Sequence, residues 1–491
     1  MRKSGVLLPI SSLPGKYGIG SFSKESYEFV DFLAEGKQKM WQILPLGPTG
    51  YGDSPYQSFS TFAGNPYFIN IEELIEEGLL LQEECDALAY GQDETKIDYE
   101  KIYNSRRILL QKAYERSRIG EKEEFVEFIK DNAYWLDDYA LFMALKDEFG
   151  GCSWISWKEE LKLRKEETLE QYRESLKDRI ESYCFQQYYF QKQWMKLKKY
   201  ANEKGIEIIG DIPIYVSLDS ADAWANPKLF QLDEGCNPKA VAGCPPDAFS
   251  ATGQLWGNPL YTWEYHKETG YDWWVKRIGY CFKLYDIVRI DHFRGFDEYY
   301  AIPYGEETAM NGQWEKGPGI SLFTTLKEKL GERQIIAEDL GFLTDSVIQL
   351  VKDTGYPGMK ILQFGFDSRE ESEYLPHSYI RNSVVYTGTH DNDTTVHWFE
   401  VLDEQDKKMA VEYMNLEDDS KACSEMIRMA YGSVSDLCII PMQDFLELGE
   451  EARLNMPSTL GSNWAWRMAG DACTDSLADR MADLVRIYKR Y

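Results

Sequence analysis

Apolar residues along this chain follow two rhythms. Short runs predict buried strands: Val6-Leu7-Leu8, Met40-Trp41-Gln42-Ile43-Leu44, Ile206-Glu207-Ile208-Ile209, Ile287-Val288, Ile335-Ile336-Ala337, Met359-Lys360-Ile361-Leu362-Gln363-Phe364, Val384-Val385-Tyr386 and Leu437-Cys438-Ile439-Ile440. Between them, apolar positions recur at helical spacing. Tyr27, Phe29, Val30, Phe32 and Leu33 predict a helix over 24–35 packed on a sheet. Residues 271–284, 322–330 and 345–353 read the same way, the last with Thr344 as its cap and Gly355 beyond its end, and helices fill much of 395–431. The first strand–helix–strand unit implies parallel strands. Eight strands that largely alternate with helices predict an α/β fold, a (β/α)8 TIM barrel with inserted subdomains.

Two stretches break the alternation. From 72 to 203 charged residues dominate, and two stripes stand out: Trp135, Leu136, Tyr139, Phe142 and Met143, and Leu169, Tyr172, Leu176, Ile180 and Tyr183. Such stripes are buried helix faces, so this stretch reads as a helical insertion whose aromatics pack rather than bind. Residues 217 to about 270 are rich in Pro, Gly, Asn and Trp and read as an irregular lid. The expected organisation is barrel over 1–71, a mainly helical insertion over 72–203, the third strand in 204–216, the lid over 217–283, and the rest of the barrel over 284–491.

Several strands end in acid. In a (β/α)8 barrel the C-terminal strand ends carry the active site, so Asp211, Asp291, Glu338 and Asp391 would converge from strands three, four, five and seven. Any one of them is as well explained as a cap for the helix that follows. Four together, accompanied by Arg289 and His390, are less easily explained that way. Arg289 lies two residues before Asp291, so both project from one strand face. The loop from Gly47 to Pro66 is long, Gly-rich and aromatic, which suits function more than connection.

A formal net charge of -28 repels nucleic acid and anionic membrane but tolerates a neutral polar partner. No apolar run has the length of a membrane span, and the first residues are too short of apolar character for a secretory signal. Nine scattered Cys without a CxxC pair predict reduced thiols in a cytoplasmic protein and argue against zinc. No DxDxDG loop or paired His is present, so neither a metal nor another cofactor is expected. With 33 Tyr and 14 Trp, some in Gly/Pro/Asn-rich loops, the chain has what a sugar cleft needs, since pyranose C–H faces stack on aromatic rings.

Paired carboxylates cleave glycosidic bonds in two ways, set by their separation. Asp291 beside Arg289 suits a nucleophile, the cation lowering its pKa. Glu338, with no basic neighbour in its own stretch, suits the proton donor, its pKa raised by partial burial and a nearby carboxylate.

The motifs Gly50-Tyr51-Gly52-Asp53-Ser54-Pro55-Tyr56-Gln57-Ser58, Gly210-Asp211-Ile212-Pro213, Arg289-Ile290-Asp291-His292-Phe293-Arg294-Gly295, Ala337-Glu338-Asp339-Leu340-Gly341 and Gly388-Thr389-His390-Asp391-Asn392 occur in this order. Over essentially its full length the chain resembles 4-α-glucanotransferases of the amylomaltase (disproportionating enzyme) type. The resemblance implies a retaining double displacement on α-1,4-glucans, with Asp291 as nucleophile, Glu338 as general acid/base and Asp391 as a third acid binding hydroxyls of the distorted donor ring. It implies that Tyr56, Asp211, Arg289 and His390 line the same subsite. Asp247, Gln254 and Trp256 match a loop over the cleft, Tyr51 an aromatic that contacts glucan away from the cut, and Asn463-Trp464 a C-terminal element near the site. Two other readings compete: an α-glucan hydrolase of the α-amylase clan, which the acids permit equally, and a silent glucan-binding scaffold, which intact acids disfavour.

Overall fold

The computed structural model describes residues 2–50, 52–246, 250–341, 343–369, 371–459 and 461–491. Eight parallel strands close a barrel: β1 (Lys3–Leu7), β2 (Met40–Gln42), β3 (Glu207–Pro213), β4 (Ile287–Asp291), β5 (Ile335–Ala337), β6 (Gly358–Ile361), β7 (Ser383–Tyr386) and β8 (Leu437–Pro441). They pair in chain order around the barrel, and β1 closes on β8. Their apolar residues are almost wholly buried, as parallel strands covered on both faces must be. The expected (β/α)8 barrel is therefore the fold.

The helices form where the spacing predicts. Lys24–Glu35 buries Phe29, Val30, Phe32 and Leu33. Asp345–Thr354 starts at Thr344, whose hydroxyl accepts the Val347 N–H, and ends at Gly355 in the left-handed conformation (φ 72°) that glycine adopts without strain. Between β2 and β3 lie the long helices Tyr99–Ser117, Glu123–Glu148 and Lys177–Glu203. Trp135, Leu136, Tyr139 and Phe142 are buried there, and Trp135 packs on Phe62 and on Tyr280 of a barrel helix (Asp272–Leu284). The second predicted stripe is not one helix. It breaks at Leu176, between Glu166–Ser175 and Lys177–Glu203.

The segment read as an irregular lid is more regular than its composition suggests. Ala240–Cys244 and Gln254–Pro259 join Glu298–Pro303 and Gln313–Lys316 in a four-stranded antiparallel sheet. The last two strands fall in the stretch expected to continue the barrel, but they leave it after β4. The register of the first pair shifts between Val241, opposite Pro259, and Gly243, opposite Leu255. Cys85, Cys152, Cys184, Cys236, Cys281, Cys423, Cys438 and Cys473 are free thiols, and among the described residues no helix is long and apolar enough to cross a membrane.

Candidate active site

Strand register assembles the acids. Asp211 on β3 lies beside Arg289 on β4, and Ile290 beside Ala337 on β5, so Asp291 and Glu338 leave neighbouring strands at one level. The Glu338 N–H donates to the Ile290 carbonyl (3.1 Å) and the Phe293 N–H to the Glu338 carbonyl (3.0 Å), which extends the pairing past the strand ends.

Arg289 is buried and bridges two acids. It donates to Asp211 at 2.6 Å and to Asp291 at 3.1 Å, and its Nε approaches the Met359 sulfur at 3.4 Å. The Tyr56 hydroxyl donates to the same Asp211 oxygen at 2.7 Å, while Asp211 Oδ1 has no partner. Asp211 is thus fully buried, with the Arg289 guanidinium as its cationic partner. We expect Arg289→Met to destabilise the fold by about 3–5 kcal/mol, because it leaves a buried carboxylate uncompensated; urea unfolding reads this.

Glu338 accepts N–H bonds from His292 (2.6 Å) and Leu340 (3.0 Å). Burial and the neighbouring Asp291 nonetheless push its carboxyl up to about 8, against the pull of Arg289 and those two donors. Asp291 departs from expectation. Burial raises it to about 6, with Asp211 and Asp391 adding to the push, and Arg289 only partly offsets this. Its order relative to Glu338 stands: Asp291 loses its proton first. Next in sequence, His292 sits in the left-handed region (φ 51°), and burial with nearby Arg294 pushes its ring down to about 3. Of the two, Glu338 is the group pushed up and His292 the group pushed down. Asp339, from the same motif, accepts the Met359 N–H at 2.7 Å instead and serves the start of β6.

Asp391 lies in the loop after β7, with 44% of its side chain exposed. Burial of its surroundings works against its charge, but His390, Asn455 and Arg289 outweigh it and hold the carboxyl well below the usual range. His390 is raised in return: burial lowers it, and Asp391 more than restores it. The two Asp391 oxygens have different partners. Oδ2 faces His390 Nε2 at 3.3 Å, and Oδ1 accepts from Asn455 Nδ2 at 2.6 Å. Sequence reasoning missed Asn455, for it comes from a loop 64 positions away; Arg453 anchors that loop by donating to the Asp391 carbonyl (3.3 Å) and to Asp393 (2.9 Å). Asn455→Ala frees the Asp391 carboxylate to rotate. Loss of such a charge-assisted bond is worth about 1.5–3 kcal/mol, roughly a 10- to 150-fold shift in how well that orientation is held.

The ring of Tyr56 stacks on His390 (5.1 Å, 17°), and Trp464 packs against both at 5.9 Å. On the other side Trp256 stands edge-on to His292 (4.8 Å, 88°), and its indole N–H donates to Gln254 at 3.0 Å. Both lie on the antiparallel sheet. Asn463 is not gathered in. Its side chain bonds to Met456 and Thr459 within its own loop. Tyr51 and Asp247 lie outside the described residues. Among those described, no group of three His, Cys, Asp or Glu is placed to hold a metal ion.

Acids gathered at the C-terminal rim of a (β/α)8 barrel, two of them level on adjacent strands and titrating apart, define the chemistry of a carbohydrate-active enzyme that works at glycosidic bonds. Comparison with known proteins makes this specific. Residues 8–474 match the 4-alpha-glucanotransferase family profile. The chain is 53% identical to the 4-alpha-glucanotransferase of Clostridium butyricum over 98% of this chain and 99% of that one. It is 52% identical to that of Streptococcus pneumoniae over 100% and 97%. The solved structure of an amylomaltase from Streptococcus agalactiae in complex with acarbose superposes with a TM-score of 0.97, at 44% identity and full coverage of both chains. The protein belongs to the 4-alpha-glucanotransferase family.

Proposed function

We propose that this protein transfers a segment of an α-1,4-glucan to the 4-hydroxyl of glucose or of another α-1,4-glucan, through a covalent ester on Asp291. The observation that carries the reading is the level pairing of Asp291 and Glu338 with separated proton affinities. Neighbouring strands stand about 4.8 Å apart. That spacing suits the roughly 5 Å carboxylate separation of retaining enzymes better than the roughly 6.5–9.5 Å that leaves room for a water.

In the first step an Asp291 oxygen attacks the anomeric carbon. The bond to the leaving 4-oxygen breaks, and Glu338 gives that oxygen its proton. In the second, Glu338 takes the proton from an acceptor 4-hydroxyl, whose oxygen displaces Asp291. Asp391, kept ionised, binds hydroxyls of the donor ring, and Asp211 Oδ1 offers a further acceptor. Arg289 and Tyr56 fix Asp211, and Gln254 and Trp256 cover the cleft. Aromatics that hold a sugar and exclude water favour the sugar as acceptor.

Incubation with maltotriose tests this. Transfer gives glucose and longer maltooligosaccharides with a flat count of reducing ends. A steady rise in reducing ends means an α-glucan hydrolase instead, and binding without turnover a silent scaffold.

A further inference from the structure

Trp464 is held in a conformation that a bulky residue adopts only under constraint, with φ at 63°. Both sides of it are pinned. Its N–H donates to the Leu454 carbonyl at 2.6 Å, and its own carbonyl accepts from the Tyr99 hydroxyl at 2.8 Å. Tyr99 is the first residue of the helix Tyr99–Ser117, which belongs to the helical segment between β2 and β3. Just before it, the chain pairs with the strip that follows Trp464. The Ile97 N–H donates to the Ala465 carbonyl and the Arg467 N–H to the Thr95 carbonyl, both at 2.8 Å.

What this clamp presents to the site is a ring. The Trp464 indole is buried against Tyr56 and His390. His390 needs it, because Nδ1 has no hydrogen-bond partner and Nε2 has only Asp391. A histidine is ordinarily oriented by the bond at its second nitrogen; here ring contact does that work. Tyr56 is the stacked partner, and its hydroxyl must meet Asp211.

We propose that the leading edge of the helical segment is a positioning element for the catalytic centre: through Tyr99 it holds Trp464 against the Tyr56–His390 pair. The inference rests on the function proposed above. Misplacement of such groups costs turnover more than binding.

Turnover of maltotriose by the full chain tests it. Loss of one neutral hydrogen bond, about fivefold in an equilibrium, sets the scale. Tyr99→Phe, which keeps the ring, is expected to lower kcat about fivefold with KM within about twofold and the unfolding midpoint nearly unchanged. In a Trp464→Phe background the same change is expected to have no further effect on kcat, because the path it acts through is already broken; should that background unfold, Trp464→Tyr replaces it. A Tyr99→Phe enzyme within twofold of the parent overturns the proposal. So does a rise in KM alone, which would mean direct contact with glucan, or an equal fall in both backgrounds. Failure of the parent to disproportionate maltotriose would count against the function itself and is read before any variant is made.

Discussion

Asp291→Asn is expected to abolish transfer, with kcat on maltotriose down by at least about 10⁴-fold, while maltooligosaccharides still bind within a few-fold of the parent affinity. Asn has the shape of Asp but supplies no anionic oxygen to form an ester. The change is unlike a loss of structure. Arg289 keeps its shorter contact, to Asp211 at 2.6 Å, and Asp291 has 29% of its side chain exposed, so no buried acid is orphaned. Turnover and calorimetric binding measured on one preparation separate lost chemistry from lost folding. Near-normal turnover would remove Asp291 as the nucleophile. The substitution has a second effect with a fixed sign. After burial, the Asp291 charge is the largest influence raising Glu338, so Glu338 in the variant loses its proton at lower pH.

The sequence made the strand-end acids visible because strands with period two, each stopping at an acid, are a local pattern, and the barrel then brings their ends together. Local reading failed where the partner comes from elsewhere. Arg289 two residues before Asp291 suggested a lowered pKa, but burial, Asp211 and Asp391, none of them visible beside it in the chain, push the other way. Asn455 reaches the site from an irregular loop without period; Trp464, from the same region, is placed near the site in the sequence by the family resemblance alone, and the neighbouring Asn463 spends its amide on that loop. The antiparallel sheet was hidden for a related reason. Ala240–Cys244 is five small residues with a glycine inside, a weak strand alone, and its partner Glu298–Pro303 lies beyond β4. The break at Leu176 leaves the apolar spacing intact, so periodicity read through it.

Glu338→Gln is expected to separate two donors. On maltotriose the leaving sugar needs a proton, and removing a general acid costs about 10²- to 10⁴-fold. On α-maltosyl fluoride the leaving group needs none, so the first step recovers and fluoride release outruns maltotriose turnover by at least about tenfold. The pH profile follows from the same groups. Glu338 must hold its proton and Asp291 must have lost its own. Activity therefore falls as pH rises through about 8, where Glu338 ionises, and as it drops through about 6, where Asp291 protonates; both limbs belong to the pair rather than to either residue alone. In the Gln variant the alkaline limb disappears from fluoride release, since no acid remains to ionise. The second step still lacks its base, so the ester is expected to accumulate, and mass spectrometry of the variant quenched after fluoride release should find the added maltosyl mass on the peptide that contains Asp291. Equal rates on the two donors would sink the acid role of Glu338, and label on any other peptide would sink the ester on Asp291.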